Sequence, residues 1–239
     1  MPNASHTHGE PLRHPSIRAC VFDMDGLMFD TERLYCEVGR IILARRGKQI
    51  GPELITAMMG LRAAESVEVM IRWHGLADSP EALVEESQEI FRQLVRDDLQ
   101  AMPGLFRLLD DLEASGVPKA VATSSGRSDA DELLGRFDLQ ERMAFVLSSE
   151  DVTHGKPHPE IYRSAAARFG VHPRQMLVLE DSAPGLRSAK SAGAVCVVIP
   201  HEHSRAQDFS LADAIAGRLD SPEVYRFLGE ARCEPIEKT

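Results

Sequence analysis

Two aspartates two residues apart, Asp23 and Asp25, follow directly on the apolar run Ala19-Cys20-Val21-Phe22 and are closed by Gly26. Carboxylates held that close raise each other's pKa and resist leaving water unless a cation or a proton compensates them. A buried parallel strand that ends in such a pair is placed where open α/β sheets bind ligands, outside the carboxyl ends of the strands. Taken alone, the segment also reads as a solvated turn that uses Asp and Gly only as turn formers.

Three further polar signals end apolar runs. Thr123-Ser124-Ser125-Gly126 gives a cluster of hydroxyls before a helical stretch; Ser125 and Ser128 read best as helix N-caps, leaving Thr123 and Ser124 as candidate ligands. Gly155-Lys156-Pro157 holds a lysine in a stiff frame. Glu180-Asp181-Ser182 supplies a second acidic pair, in which Asp181 reads equally as a helix N-cap or a ligand. Carboxylates from two neighbouring strands make an all-oxygen site for a hard cation, Mg²⁺ above all. Lys156, Thr123 and the backbone N–H groups after Asp23 suit the oxygens of a phosphoryl group beside that ion. One carboxylate is left to attack phosphorus and another to handle a proton, the equipment of phosphoryl transfer through an aspartyl-phosphate.

Those groups meet only if the strands that carry them are parallel. Five short apolar runs, Ala19–Phe22, Ala120–Thr123, Phe145–Leu147, Met176–Leu179 and Val195–Ile199, alternate with amphipathic stretches near Leu105–Ala114, Ser128–Arg136, Glu160–Phe169 and Pro184–Ala192. That alternation predicts an α/β fold, a Rossmann-like, doubly wound parallel sheet. Between residues 31 and 100 there is helical periodicity alone, carried by Leu34, Val38, Ile41, Ile42, Val67, Met70, Ile71, Leu83, Ile90, Phe91 and Leu94. The expected organisation is a disordered tail over residues 1–16, a discontinuous core over 17–30 and 101–230, and an all-α cap domain over 31–100, inserted where it can cover the acidic strand end as a lid.

The 239 residues are 43% hydrophobic, enough for one large or two small cores. With 37 acidic against 27 basic residues, the formal charge of −10 argues against a nucleic-acid or anionic-membrane partner. No run approaches the roughly 18 consecutive apolar residues of a membrane helix, and the His-rich start (His6, His8, His14) is not a signal peptide. The four cysteines are scattered, with Cys20 and Cys196 inside strand-like runs as core thiols; a reduced cytoplasm and a monomer are expected.

Asp23-x-Asp25-Gly26 with Asp30-Thr31-Glu32, the Thr123 strand end, Gly155-Lys156-Pro157 and Glu180-Asp181 resemble, in order and spacing, the motifs of the haloacid dehalogenase (HAD) superfamily over residues 18 to 225. The match is to its phosphatase and phosphomutase branch with a small helical cap. The resemblance implies that Asp23 is nucleophile and metal ligand, and that Asp25 is general acid/base and ligates through its backbone carbonyl. It further implies that Thr123 and Lys156 hold phosphoryl oxygens, that Asp181 completes the Mg²⁺ site with Glu180 nearby, and that the Lys156–Pro157 bond is cis. A dehalogenase of this superfamily needs no acid where Asp25 stands. A non-enzymatic receiver domain would place its lysine after both acidic positions, not between them.

The expected substrate is a small phosphorylated metabolite, a sugar phosphate or a nucleotide or nucleoside monophosphate. A sugar phosphomutase resembling β-phosphoglucomutase is the alternative, but mutases of that type carry a His where this chain has Tyr35. Asp30-Thr31-Glu32-Arg33-Leu34-Tyr35, Leu83-Val84-Glu85-Glu86-Ser87-Gln88 and His154-Gly155-Lys156-Pro157 resemble the pseudouridine-5′-phosphatase group. Arg62 reads equally as a contact to the distal part of the substrate or as a solvated charge. Trp73 and His74 read as packing and surface, and His201 and His203 have no motif role.

Overall fold

Every side chain of β1 (Ala19–Phe22) is buried, which only a strand covered on both faces allows. The computed structural model describes residues 16–58, 63–202 and 204–229. The expected tail, apart from residue 16, and Arg62, His203 and Cys233 therefore lie outside the described residues. β1 pairs in parallel with β2 (Lys119–Ala122) on one side and β4 (Met176–Glu180) on the other. β3 (Val146–Leu147), β5 (Val195–Val198) and β6 (Ala214–Ile215) complete a six-stranded parallel sheet in the order β3-β2-β1-β4-β5-β6. The five expected strands are present within a residue or so of their expected ends. The sixth, β6, was not expected: two residues, one half-buried and one exposed, carry no periodicity.

Alternate residues of each strand feed two cores. Cys20, Phe22, Val121, Leu177 and Leu179 pack against α5 (Leu105–Ala114), α6 (Arg127–Gly135) and α9 (Pro222–Leu228). Ala19, Val21, Ala122, Met176 and Val178 pack against α7 (Glu160–Phe169) and α8 (Ala183–Ala192). Each fully buried aliphatic side chain contributes roughly 1.5–3 kcal/mol of transfer free energy, so the two faces hold the strand ends in register. Cys20 and Cys196 are buried free thiols, as expected. The strand order reverses beside β1, so a crevice opens between the carboxyl ends of β1 and β4.

Among the described residues, four helices stand between β1 and α5: α1 (Thr31–Arg45), α2 (Pro52–Met58), α3 (Ala63–His74) and α4 (Pro80–Asp98). They enclose an apolar cluster of their own, built on Val38, Ile42, Leu54, Val67, Met70, Leu83 and Ile90. Leu34 departs from that set and packs with Val95 into the sheet-side core. The chain leaves for these helices and returns at one place: Asp30 N–H donates to Gln100 O (3.0 Å) and Met102 N–H to Met28 O (2.8 Å). Arg33 ties the two crossings together, donating to Asp30 Oδ2 (3.0 Å) and Asp98 Oδ2 (2.6 Å). Trp73 is exposed, whereas His74 Nε2 is buried without a hydrogen-bond partner among the described residues. Among the described residues no helix is long and apolar enough to cross a membrane.

Candidate active site

Asp23 stands one residue past β1, its N–H still donating to Leu179 O of β4 (2.9 Å), which carries the carboxylate to the crevice. The Lys156 ammonium reaches it from the loop before α7, donating to Asp23 Oδ1 (2.5 Å), Glu180 Oε1 (2.6 Å) and Ala122 O (3.0 Å). All three donor sites of the ammonium are thus used, and its side chain is 5% exposed. Burial works against the charged lysine, but Asp23 and Glu180 outweigh it and hold the group above its usual pKa. Burial pushes Asp23 upward against the opposing Lys156 ammonium, and the Glu180 and Asp181 carboxylates push the same way as burial. The Lys156–Pro157 bond is cis.

Glu180 is fully buried and both its oxygens are engaged. Oε1 accepts from Lys156 and the Tyr162 hydroxyl (2.5 Å), and Oε2 from Ser182 Oγ (3.0 Å) and the Asp181 N–H (3.2 Å). Tyr162, buried on α7, had no place in the sequence reading. Gly185 makes room for this carboxylate, since a Cβ there would overlap the Glu180 carboxyl group. The helix after β4 is capped by Ser182, whose Oγ accepts from Gly185 N–H (3.2 Å). Asp181 is therefore not the cap. Its carboxylate is buried, its pKa raised by that burial and by Glu180.

Asp25 turns towards β2. Its Oδ2 accepts from Ser125 Oγ (2.7 Å) and Thr123 Oγ1 (3.2 Å), while Oδ1 is buried without a hydrogen-bond partner among the described residues. Ser125 is thus not the N-cap of α6, nor is Ser128; Gly126 takes that position without a side-chain bond. The Ser125 hydroxyl donates to Asp25 and so faces the site, not the start of the helix. Ser124 is exposed and lines the cavity described below. Between the two aspartate positions and β4, Gly26 has φ +77°, and a Cβ on it would stand 2.6 Å from Asp181 Oδ2. Only glycine fits that turn and that approach.

His201, two residues beyond Ile199, is a contact the sequence reading left out. Its Nε2 lies 3.0 Å from Asp181 Oδ2, and burial lowers its pKa. Its position just past β5, on the same sheet edge, is readable in the sequence, but no motif there assigns it a role.

Asp23, Glu180 and Asp181 place carboxylate oxygens within 4.8 Å of one another in a buried cluster. An all-oxygen, acidic donor set fits a hard divalent cation such as Mg²⁺. Lys156, which joins two of these carboxylates, also lines a cavity of about 890 Å³, bounded from the sheet side by Asp25, Thr123 and Ser124 as well and from the helices by Tyr35 and Phe91 among others. The two aromatic rings stack at 4.6 Å and 6°.

A profile of haloacid dehalogenase-like hydrolases matches residues 20–199. The chain belongs to that family. A probable pseudouridine-5′-phosphatase of Drosophila melanogaster is 38% identical over 85% of this chain and 90% of its own length. A phosphorylated carbohydrates phosphatase of Thermotoga maritima is 32% identical over 87% of this chain and 95% of its own. The crystal structure of CbbY from Rhodobacter sphaeroides in complex with phosphate superposes with a TM-score of 0.72 at 26% identity, covering 85% of this chain and 95% of that one. In this HAD-family chain the motif carboxylates, the lysine and the strand-end hydroxyls lie on one sheet edge, where parallel pairing of their strands puts them.

Proposed function

We propose that the protein is a Mg²⁺-dependent phosphatase that hydrolyses a small phosphate monoester through an aspartyl-phosphate. The observation that carries this reading is the Asp23–Lys156 pair, a buried carboxylate with one oxygen held by an ammonium whose own side chain lines the cavity together with Asp25 and Thr123. Asp23 attacks phosphorus and the ester oxygen departs, so that the phosphoryl group is carried on the Asp23 carboxylate. Asp25 gives its proton to the departing oxygen, then takes one from the water that opens the acyl phosphate, releasing phosphate and restoring Asp23. Ser125 and Thr123 orient Asp25, Thr123 and Ser124 meet phosphoryl oxygens, and Lys156 joins them by exchanging one of its protein acceptors, the Ala122 carbonyl, for a phosphoryl oxygen.

Asp23, Asp181 and the Asp25 backbone carbonyl would hold the ion, which when bound neutralises phosphoryl charge. Glu180, with both oxygens taken by protein donors, anchors Lys156 beside them. Helices α1–α4 act as the cap over residues 31–100, closing the cavity and excluding water from the reacting groups.

The names of the relatives support a sugar phosphate or a nucleoside monophosphate as substrate. Tyr35, stacked on Phe91 where mutases of this branch carry a His, favours hydrolysis over phosphoryl return to a sugar hydroxyl. The deciding experiment is a panel of phosphate monoesters, including glucose 1- and 6-phosphates and pseudouridine 5′-phosphate, with and without Mg²⁺, with products identified. Mg²⁺-dependent release of free phosphate is expected. Isomerised sugar phosphate without phosphate release would overturn the reading.

A further inference from the structure

Around the catalytic lysine the sequence runs His154-Gly155-Lys156-Pro157-His158-Pro159-Glu160, so two imidazoles flank Lys156 and a carboxylate follows. The chain turns back on itself there, His158 N–H donating to Gly155 O (3.0 Å), which brings the two rings to a centroid separation of 4.5 Å. We propose that His154, His158 and Glu160 form a second metal site, for a borderline divalent transition ion such as Zn²⁺, on the outer side of the loop that carries Lys156.

Three observations support it. The donor atoms of the three side chains all lie within 4.8 Å of one another. His154 Nδ1 stands 3.0 Å and His158 Nδ1 3.6 Å from Glu160 Oε2. Ligands bound tetrahedrally at about 2.0–2.1 Å sit about 3.3 Å apart, so these two spacings bracket the edge that a zinc ion requires. The carboxylate is also held in place: Glu160 Oε1 accepts from Thr153 N–H (2.8 Å) and Oε2 from His154 N–H (3.0 Å), the outer support that orients metal ligands.

Access and chemistry agree with the geometry. The His154 and His158 side chains are 63% and 48% exposed, so an ion can arrive and complete its coordination with water. Thr153, Gly155 and Lys156 line the catalytic cavity from the same loop. Two imidazoles and one carboxylate suit Zn²⁺ and Co²⁺, whereas Mg²⁺ keeps to oxygen donors. The site is thus chemically separate from the carboxylates at the sheet edge. Filling it joins the chain on either side of Lys156 and restrains the loop that presents the ammonium to Asp23.

The test is a Co²⁺ titration of the full chain in millimolar Mg²⁺, which occupies the oxygen site, followed by visible ligand-field absorption and by displacement with Zn²⁺. One equivalent with a tetrahedral spectrum is expected. H158Q and E160Q should each weaken it by at least about tenfold, the loss that removing even a supporting partner brings. H158Q sits on an exposed turn and should retain wild-type melting and Mg²⁺-supported phosphatase activity in the absence of Co²⁺ and Zn²⁺, so its loss of Co²⁺ reads as loss of a ligand. The variant H6Q/H8Q/H14Q should bind as wild type. No tetrahedral Co²⁺ in the wild type, binding unchanged in H158Q, or binding lost in the triple variant would each overturn the proposal.

Discussion

Lys156 Nζ lies 2.5 Å from Asp23 Oδ1, with both side chains nearly removed from solvent. The pairing fixes one carboxylate oxygen and leaves the other to act, so the two oxygens of Asp23 are unequal before any substrate arrives. Replacing Asp23 by Asn keeps the shape but removes the proposed nucleophile and the carboxyl partner of Lys156. Asp23→Asn should lower turnover by several orders of magnitude while far-UV circular dichroism stays that of the wild type. Near wild-type phosphate release would remove Asp23 from the role of nucleophile.

Gly185 tests the anchor behind that lysine. A methyl group at this position collides with the Glu180 carboxyl, so Gly185→Ala should cost about 1–3 kcal/mol of stability as the buried network shifts. It should also reduce turnover, because Lys156 loses its second carboxylate. The measurements are denaturant unfolding and kcat; unchanged stability would mean that the network relaxes freely.

Crowded carboxylates at the sheet edge repel each other, so a divalent ion should stabilise as well as activate. Binding to the native state alone adds about 2.7 kcal/mol at a hundredfold excess over Kd. Wild type should therefore melt higher in millimolar Mg²⁺ than in EDTA, and Asp181→Asn should show a smaller difference and lower activity. Equal melting in both conditions for wild type would displace the ion from this edge.

Asp25 should reveal itself through the leaving group. An alkoxide needs a proton as it departs, whereas p-nitrophenolate needs far less help. In single-turnover experiments Asp25→Asn should slow phosphoryl transfer from a sugar phosphate much more than from p-nitrophenyl phosphate. Ser125→Ala, which removes the 2.7 Å bond to Asp25, should show the same selectivity in weaker form. Equal slowing of both esters would assign Asp25 a role other than acid.

Far from the site, Glu113 accepts from Lys119 Nζ (2.6 Å) and Arg142 Nε (2.7 Å) and has its pKa lowered to about 2, with the Arg142 bond the largest cause. A carboxyl with a depressed folded pKa stabilises the native state above its unfolded value of 4.5, and the contribution fades as pH falls towards 2. Glu113 is half exposed, so screening limits the effect to about 1 kcal/mol or less. Glu113→Gln should lower the melting temperature at pH 7, and the gap to wild type should narrow between pH 4.5 and pH 2. A gap constant with pH would trace the loss to packing.

The strand ends were legible because each couples an apolar run to a polar signal, and parallel pairing then forces Asp23, Thr123 and Glu180-Asp181 onto one edge. What remained hidden depends on side-chain direction. Ser125 has the sequence of an N-cap, yet its hydroxyl turns to Asp25. Asp181 and Ser182 are both good caps, and only the backbone geometry assigns the position to Ser182. Tyr162 looks like one more apolar helix residue, because nothing local shows that its hydroxyl meets Glu180 18 positions away. β6 and His201 follow β5 with no periodicity of their own, so tertiary contact alone places them.

The backbone bonds between Asp30 and Gln100 and between Met28 and Met102 set the start and the end of the intervening helices side by side. A segment whose two ends already touch can be exchanged as a cassette, because the sheet side registers only the short gap that its replacement must span and the packing of Leu34 and Val95. Substrate range and reaction chemistry can accordingly evolve on different stretches of the same gene: grafting another 31–99 segment should change which ester is accepted while leaving the attacking carboxylate and its lysine untouched.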